Sequence, residues 1–352
     1  MDPRTPVRRT TMTSTPVRVA LVGAGRIGAA HAETLARRVP DAHLVAVVDP
    51  RPGAATAVAT PLGARAETEV DAVLGAADVD AVVVAASSVA HRDLVVAAAD
   101  AGKHVFCEKP AGMSLVEIDE ARRAATAAGV VFQVGFNRRF AREFAQARDL
   151  VESGTLGEVR QLRSLTRDPG RGPSDPDVVP PWTIFTQTLI HDFDTLNFLN
   201  PGAHAVDVVA TADSLLFPGH ATLLDHATVV VRYSNGALGT AEASFAAVYG
   251  YDVRGEVLGS EGMVTMGEGA SSSLRVHGQG GRTASTAHSD TELLRDAYAA
   301  ELAELCAAVR EGRPPAVGAD EAFAAFAVAQ ACIDSMTTGG RAAVATSVLQ
   351  EA

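Results

Sequence analysis

A glycine pattern at a strand-to-helix junction constrains the fold of this chain more than any other feature. The segment 23–28, with the sequence GAGRIG, follows the β-branched run 17–22 and precedes an amphipathic stretch. In this setting Gly23 permits a tight turn, Gly25 allows the backbone to approach a phosphate closely, and Gly28 lets helix pack on strand. Free N–H groups at the helix start attract an anion. The pattern therefore predicts a site for the diphosphate of a dinucleotide.

An acidic residue at the end of the next predicted strand supports this interpretation. Asp49 follows Gly28 by 21 residues, a spacing at which a carboxylate bonds the adenosine ribose hydroxyls. Its charge would repel a 2'-phosphate, which favours NAD over NADP. Arg51 stands two residues later and could receive that phosphate, so NADP use stays open. The alternative, a glycine-rich turn beside an exposed Asp, explains less of the pattern.

The spacing of hydrophobic residues divides the chain into two parts. Short β-branched runs alternate with alanine-rich amphipathic stretches as far as residue 137, which predicts βαβ units. Longer alternating segments with hairpin turns follow. We predict an α/β protein with a flexible tail (1–16), a Rossmann doubly wound parallel sheet (17–137), and a C-terminal α+β domain with an open, mostly antiparallel sheet for substrate binding and oligomerisation (138–352). We expect strands at 17–22, 44–48, 81–85, 104–106, 131–134, 158–166, 205–215, 227–233, 237–245 and 251–258, helices at 27–38, 92–101, 115–128, 292–310 and 320–336, and loops at 168–181 and 267–289.

Composition excludes several partners. The formal charge is −12, from 42 acidic and 30 basic residues, so the protein repels nucleic acid and anionic membranes. The apolar runs are much shorter than the ~20 residues of a membrane span. Three widely separated cysteines indicate neither a disulfide framework nor a zinc site, and they favour the reducing cytoplasm. We expect no metal, and we expect a homo-oligomer, a dimer or tetramer, to cover one face of the open sheet.

Two polar groups are candidates for the chemistry. Lys109, in the string Glu108-Lys109-Pro110, ends a predicted strand at the edge where ligands of open parallel sheets collect. His191 lies in a predicted helix, with Gln187 on the same face at i, i+4. Oxidation of a secondary alcohol needs a group that takes the hydroxyl proton as hydride leaves carbon, and a histidine suits this task. A solvated lysine and a hydrogen-bonded core histidine are the alternatives.

Together these stretches resemble the Gfo/Idh/MocA oxidoreductases, and within them the inositol 2-dehydrogenases. The resemblance implies a Rossmann domain followed by an α/β domain with an open sheet, often paired into dimers and tetramers, and NAD-dependent oxidation of a polyol or sugar. The matching segments span both predicted domains: 22–28, 108–110, 135–139, 188–194, 249–252 and 256–262.

The resemblance also implies roles for individual residues. Lys109 would polarise the reacting hydroxyl and share in proton transfer, and His191 would act as the base. Tyr249 and Asp168 would bond distal hydroxyls, although a partly buried ring and a turn-forming Asp explain them equally well. The expected substrate contacts are Lys109, Asn137, Arg138, Asp168, Gln187, Thr188, His191 and Tyr249. The expected cofactor contacts are Gly23, Gly25, Arg26, Ile27, Gly28, Asp49, Arg51, Ser87, His91, Glu108, Lys109 and Arg138.

One departure from the family pattern concerns substrate identity. Inositol dehydrogenases usually carry an Asp one helical turn before the histidine, whereas this chain has Gln187. Glutamine can bond a hydroxyl, but it brings no negative charge to raise the histidine pKa or to balance Lys109. Another cyclitol, an aldose, an anhydrosugar or a keto-sugar therefore stays open as substrate, as does a catalytically weak NAD(H)-binding sensor.

Overall fold

A six-stranded parallel sheet forms the first half of the computed structural model, which describes residues 15–220, 223–267 and 270–347. Its strand order, β3-β2-β1-β4-β5-β6, is that of a doubly wound dinucleotide-binding sheet and confirms the predicted architecture. All but two residues of the predicted tail lie outside the described residues. The strands are β1 (Val17–Val22), β2 (Ala42–Val48), β3 (Arg65–Glu67), β4 (Ala81–Val84), β5 (His104–Glu108) and β6 (Phe132–Gly135).

Helices cover both faces of this sheet, which explains why its central strands are valine-rich and buried on both sides. Helix α5 shows how the sequence sets the helix ends. The Ser114 side chain accepts a hydrogen bond from the backbone N–H of Glu117, and Gly129 ends the helix in the left-handed region at φ 65°, as predicted. The helices are α1 (Arg26–Arg38), α2 (Pro52–Ala59), α3 (Asp71–Leu74), α4 (His91–Asp100) and α5 (Leu115–Ala128).

A seven-stranded sheet forms the second half, in the order β12-β11-β7-β10-β9-β8-β15. Among the described strands of this sheet only β7 and β10 pair in parallel, so the prediction of a mostly antiparallel sheet is confirmed. Its elements are α6 (Arg142–Glu152), β7 (Val159–Pro169), α7 (Ile190–Phe198), β8 (Ala205–Asp213), β9 (His226–Tyr233), β10 (Leu238–Ala247), β11 (Asp252–Gly259), β12 (Met263–Met266), β13 (Ala270–Gly278), β14 (Gly281–Thr286), α8 (Asp290–Leu293), α9 (Arg295–Glu311), α10 (Ala319–Thr338) and β15 (Ala342–Ala343).

One local prediction is wrong, and several short elements were missed. The expected loop 267–289 contains the hairpin β13–β14, which pairs with no other strand that the structure describes. Apolar side chains such as Val276 are exposed on this hairpin. The usual alternation of buried apolar and exposed polar residues is therefore weak there. The short strand β3 was missed because three residues, Arg-Ala-Glu, carry no periodic signal. By contrast, 168–181 is irregular apart from the end of β7 and one 3₁₀ turn, Pro176–Val178.

A late helix completes the first core. Leu302, Leu305 and Cys306 of α9 pack with Val19 and Leu21 of β1 in one buried cluster. The chain therefore returns to the first sheet after forming the second, and the division at residue 137 stays a prediction. Within the described ranges, none of the helices is both long and apolar enough to cross a bilayer.

Packing at the glycine turn gives a test of the fold. A Cβ on Gly28 would lie 1.8 Å from the carbonyl oxygen of Gly23, whereas a Cβ on Gly25 would have no described atom within 4 Å. We expect Gly28→Ala to lower the free energy of unfolding by about 3 kcal/mol, the upper end for overpacking. Gly25→Ala is the matched control and should unfold like the wild type. Equal denaturant midpoints for the two variants would contradict the assigned packing.

Candidate active site

The glycine turn has the geometry of a phosphate site. Gly23 adopts φ +101°, and a Cβ there would lie 2.5 Å from the carbonyl oxygen of Ala85. Gly25 precedes α1, whose first turn contains no acidic residue and whose start has no side-chain cap. The open space at Gly25 and the free N–H groups around Arg26 and Ile27 suit a bound diphosphate. These residues therefore fit the dinucleotide predicted from the sequence.

Asp49 lies beside this turn and is firmly ionised. Its carboxylate accepts hydrogen bonds from the backbone N–H of Ala24 at 2.9 Å and from the side chain of Arg51 at 2.9 and 3.1 Å. The Arg51 guanidinium lowers the pKa of Asp49 to about 2. Because Arg51 is engaged by Asp49, it would have to leave this ion pair to bind a 2'-phosphate. The arrangement favours NAD.

Lys109 lies at the carboxyl end of β5, and the Lys109–Pro110 peptide bond is cis. Its ammonium donates a hydrogen bond of 2.9 Å to the backbone carbonyl of Gln187, 78 residues further along the chain. Burial lowers the pKa of Lys109, although the charge of Glu108 opposes this effect. One of the three ammonium donors is thus used, and two stay available for a ligand oxygen.

His191 lies at the start of α7, directly after a π-helical turn over Ile184–Thr188. This turn differs from the regular helix that was predicted, and such turns are frequent at functional sites. Burial, together with the positive charges of Lys109 and Arg138, lowers the pKa of His191 well below its usual value. The imidazole is therefore neutral at physiological pH and able to accept a proton.

Lys109 and His191 line one cavity of about 560 Å³, a size suited to a small ligand. The residues around it come from both halves of the chain, as expected for a site at the edge of the parallel sheet. Of the predicted substrate contacts, the cavity brings together Lys109, Asp168, Gln187, Thr188 and His191. Arg26, Thr166, Thr183, Phe245, Tyr251, Ser289 and Asp290 are among the other lining residues.

Asp168 supplies a carboxylate to this cavity from the end of β7. Burial raises its pKa to about 6, although the nearby charge of Lys109 acts in the opposite direction. Asp168 is thus an ionised hydrogen-bond acceptor at neutral pH, and it provides a negative charge that Gln187 does not.

A larger cavity of about 720 Å³ lies between α5 and the C-terminal segment. Ile118, Phe323 and Val344 contribute apolar surface to it, and none of the predicted site residues lines it. Since size alone does not define an active site, we assign the site to the smaller cavity, where the perturbed titratable groups converge.

Arg138 is not among the residues that line the cavity, so its contact with substrate or cofactor stays a prediction. Arg138 is 2% exposed, and its guanidinium donates to Asp192 at 2.7 Å and to Thr166. Asp192 also accepts from Ser164 at 2.5 Å and from Thr166 at 2.6 Å. Because Asp192 directly follows His191, this buried network holds the start of α7. The neighbouring Asn137 is also buried, and it does not line the cavity.

Tyr249 was predicted as a substrate contact, but Tyr251 lines the cavity instead. Tyr249 is 48% exposed, and its hydroxyl donates to Asp252 at 2.6 Å. The residue between the two tyrosines, Gly250, has φ +129°, so the regular alternation of a strand is broken there. Burial raises the pKa of Tyr251, which keeps its hydroxyl protonated.

Two of the expected cofactor contacts, His91 and Glu108, have side-chain partners within the protein, and their contact with the cofactor stays a prediction. His91 is buried, with Nδ1 2.8 Å from the carbonyl oxygen of Pro110 and Nε2 3.1 Å from that of Ala86. Both ring nitrogens are therefore engaged within the protein. Glu108 pairs with His31 at 2.7 Å, directly behind Lys109. Ser87 is exposed at the carboxyl end of β4, beside the glycine turn, where a cofactor contact stays a prediction.

His31, Glu108 and Glu301 bring potential metal-ligand atoms within 4.8 Å of one another. Burial opposes ionisation of Glu108, but the His31 hydrogen bond holds its pKa below the usual value. Burial and the charge of Glu108 raise the pKa of Glu301 well above its usual value. A proton on Glu301 would remove its buried charge, but both of its carboxyl oxygens and Nδ1 of His31 have no hydrogen-bond partner among the described residues.

Several site residues were missed, and the most informative is Asp290. It lines the cavity and pairs with Arg26 at 2.6 and 3.1 Å. A partner 264 positions away leaves no local signal in the sequence. Asp192 and Asp194 could have been found, since two acids follow the histidine and two arginines stand at 138–139. The structure pairs them as Arg138–Asp192 and Arg139–Asp194.

Comparison with known proteins agrees with this geometry. A myo-inositol 2-dehydrogenase from Thermotoga maritima is 36% identical over 324 residues, which cover 91% of this chain and 96% of that protein. A scyllo-inositol 2-dehydrogenase (NAD⁺) from Bacillus subtilis is 33% identical, over 92% and 95% of the two chains. A crystal structure of a probable dehydrogenase from Thermotoga maritima superposes with a TM-score of 0.88 at 35% identity, over 93% of this chain and 99% of the other.

Family models match both halves of the chain. Residues 17–136 match the NAD-binding Rossmann fold of the Gfo/Idh/MocA oxidoreductases, and residues 148–344 match their C-terminal α/β domain. The chain belongs to the Gfo/Idh/MocA family of NAD-binding oxidoreductases.

Proposed function

We propose that the protein oxidises a ring secondary alcohol of an inositol-like cyclitol to a ketone, with NAD as the oxidant. The observation that carries this proposal is the convergence of Lys109 and a neutral His191 on one cavity beside the glycine turn. The names of the relatives support a cyclitol as substrate. An NADH absorbance assay with inositols, aldoses and anhydrosugars, run with NAD and with NADP, tests the proposal.

The residues of this chain can perform the proton transfer. The two unused donors of the Lys109 ammonium bind the substrate oxygen and stabilise the negative charge that develops on it. The imidazole of His191 accepts the hydroxyl proton as the carbon–hydrogen bond breaks. NAD, when bound, supplies the acceptor for the hydride. Arg138 and Asp192, buried behind this centre, hold His191 in place.

The charges around the cavity favour a neutral substrate. Lys109 and Arg26 bring positive charge, and Asp168 and Asp290 bring an equal negative charge. A sugar phosphate or sugar acid would add an uncompensated anion beside the two carboxylates. Hydroxyl groups, in contrast, can donate to the carboxylate of Asp168 and to the carbonyl oxygen of Gln187.

Gln187 does not indicate a loss of catalysis. Its backbone carbonyl binds the ammonium of Lys109, which depends on the course of the chain and not on the side chain. Asp168 supplies the missing negative charge near the same lysine. We therefore favour an active cyclitol dehydrogenase over a sensor. The Gln187 side chain would instead affect which hydroxyl pattern is accepted, and this includes the aldose and anhydrosugar alternatives.

We also propose that a second copy of the chain covers the outer face of the large sheet. Val209 of β8 lies opposite Val230 of β9 in the strand register, and both are exposed. Leu238 is exposed on β10, next to β9, and Leu258 is exposed on β11, which β7 separates from β10. Exposed apolar positions on a sheet face are typical of an oligomer interface.

The three cysteines are unpaired and buried, which supports a reducing compartment such as the cytoplasm.

Replacement of the catalytic lysine gives the first test. We expect Lys109→Met to lower kcat by at least about a hundredfold, because the substrate oxygen loses its cation. NADH binding, measured by fluorescence, should persist. The only other lysine, Lys103, lies just before the same strand and bonds the carbonyl oxygens of Ala76 and Val79. Lys103→Met should keep the wild-type kcat, and full turnover by Lys109→Met would refute the role.

The pH dependence should report Asp168. Its carboxyl group has a pKa of about 6, so it loses its charge as the pH falls below that value. Because only the ionised form balances Lys109 and accepts from two hydroxyls, kcat/KM should fall about tenfold per pH unit below about 6. Burial and the charges of Lys109 and Arg138 lower the pKa of His191 well below its usual value.

Asp168→Asn should remove this fall of kcat/KM at acidic pH. Its kcat/KM should be lower than that of the wild type and should not vary with pH in this range. Asp177→Asn changes an exposed carboxylate of the following loop and serves as the control. An unchanged fall at acidic pH in Asp168→Asn would show that another group titrates.

The sheet interface can be tested by light scattering. The wild type should have a mass two or four times that of the chain. Val230→Asp places a charge among the exposed apolar side chains of this sheet face and should lower the mass towards that of the monomer. Val116→Asp alters an exposed valine on α5 and should leave the mass unchanged. A wild-type monomer, or an undisturbed Val230→Asp assembly, would contradict the interface.

A further inference from the structure

The Arg26–Asp290 pair joins the glycine turn to the substrate cavity. Arg26 is the first residue of α1, and Asp290 is the first residue of α8. The guanidinium donates to both carboxylate oxygens of Asp290, at 2.6 and 3.1 Å. The two side chains differ in environment, since that of Arg26 is 65% exposed and that of Asp290 is 20% exposed. Both line the cavity that contains Lys109 and His191.

The carboxylate of Asp290 is saturated with donors. Oδ1 accepts from Arg26 and from the backbone N–H of Thr291 at 2.9 Å. Oδ2 accepts from Arg26 and from the hydroxyl of Tyr298 at 3.3 Å. A carboxylate offers about four acceptor positions, so all are in use. A hydroxyl of a ligand in the cavity can bond Asp290 only if one of these donors leaves.

Arg26 is the donor that is able to leave. Thr291 donates through its backbone next to Asp290, and Tyr298 belongs to the buried face of α9. Arg26 is mostly exposed and stands at the open start of α1, beside Gly25, where a Cβ would meet no described atom within 4 Å. A diphosphate bound at that position would carry more negative charge than Asp290 and would attract the guanidinium.

We propose that Asp290 is a substrate-binding residue and that its ion pair with Arg26 couples cofactor binding to polyol binding. This inference rests on the proposed function for the identity of the polyol. When the glycine turn holds a diphosphate, Arg26 turns towards it and frees acceptor positions on Asp290. A polyol hydroxyl then donates to Asp290. Each ligand therefore strengthens the binding of the other, as linkage requires.

Substitution of Asp290 separates this role from a structural one, because it predicts effects of opposite sign. In Asp290→Asn the competitor for Arg26 loses its charge, so NADH should bind about two- to fivefold more tightly, the scale of an exposed ion pair. The KM of myo-inositol should rise about tenfold, because a charged acceptor is lost. NADH fluorescence titrations with and without myo-inositol measure the coupling, which should be about fivefold or more in the wild type and close to one in Asp290→Asn.

A second ion pair of α1, made with the adjoining helix α9, provides a matched control. Arg38, at the other end of α1, pairs with Asp296 of α9 at 2.7 Å, outside the cavity. Asp296→Asn should leave the NADH affinity, the KM and the coupling unchanged. Arg26→Gln should weaken NADH binding and also abolish the coupling.

Two outcomes would overturn the inference. One is an unchanged or weaker affinity of Asp290→Asn for NADH, and the other is a wild-type coupling factor in that variant. If the wild type oxidises none of the polyols, the proposed function fails, but the NADH titration of Asp290→Asn still decides the part played by Arg26. The two failures are therefore distinguishable.

Discussion

The hydrogen bond from the Lys109 ammonium to the Gln187 carbonyl is the contact on which the site depends. It connects the carboxyl end of β5 to the π-helical turn before α7, and so joins the parallel sheet to the chain that covers the second sheet. A lysine at a strand end could extend into solvent, but the carbonyl fixes its direction towards the cavity. Because a backbone oxygen is the acceptor, the contact does not require a particular side chain at position 187.

Buried ion pairs behind this contact keep the second polar group in place. Arg138 and Asp192 are almost completely removed from water, and a buried pair of this kind rarely adds much net stability because desolvation is costly. Here the remaining acceptor positions of Asp192 are filled by Ser164 and Thr166, which reduces that cost. We infer that the pair is retained for orientation, since it fixes the backbone next to His191.

The sequence was sufficient for the features that depend on local pattern. The glycine turn, the strand that ends at Lys109 and the helix stop at Gly129 follow from short-range geometry, and their predicted positions agree with the structure. The failures concern contacts between distant segments. Nothing near Asp290 indicates that Arg26 is its partner, and Gly250 changes which of two nearby tyrosines faces the cavity. The burial of Arg138 behind the cavity also had no local signal, because the resemblance gives a role for this residue but not its depth.

The charges around the site explain why the proposed transfer of one proton involves two basic side chains, those of Lys109 and His191. Burial and the cations of Lys109 and Arg138 keep His191 neutral, which makes it available as a base but also a weak one. An Asp at position 187 would strengthen that base, and this chain has none there. Asp168 mainly balances the charge of Lys109, and it does less to raise the basicity of His191. In the proposed mechanism, Lys109 therefore contributes more, because it stabilises the alkoxide as the proton leaves and so reduces the basicity that His191 requires.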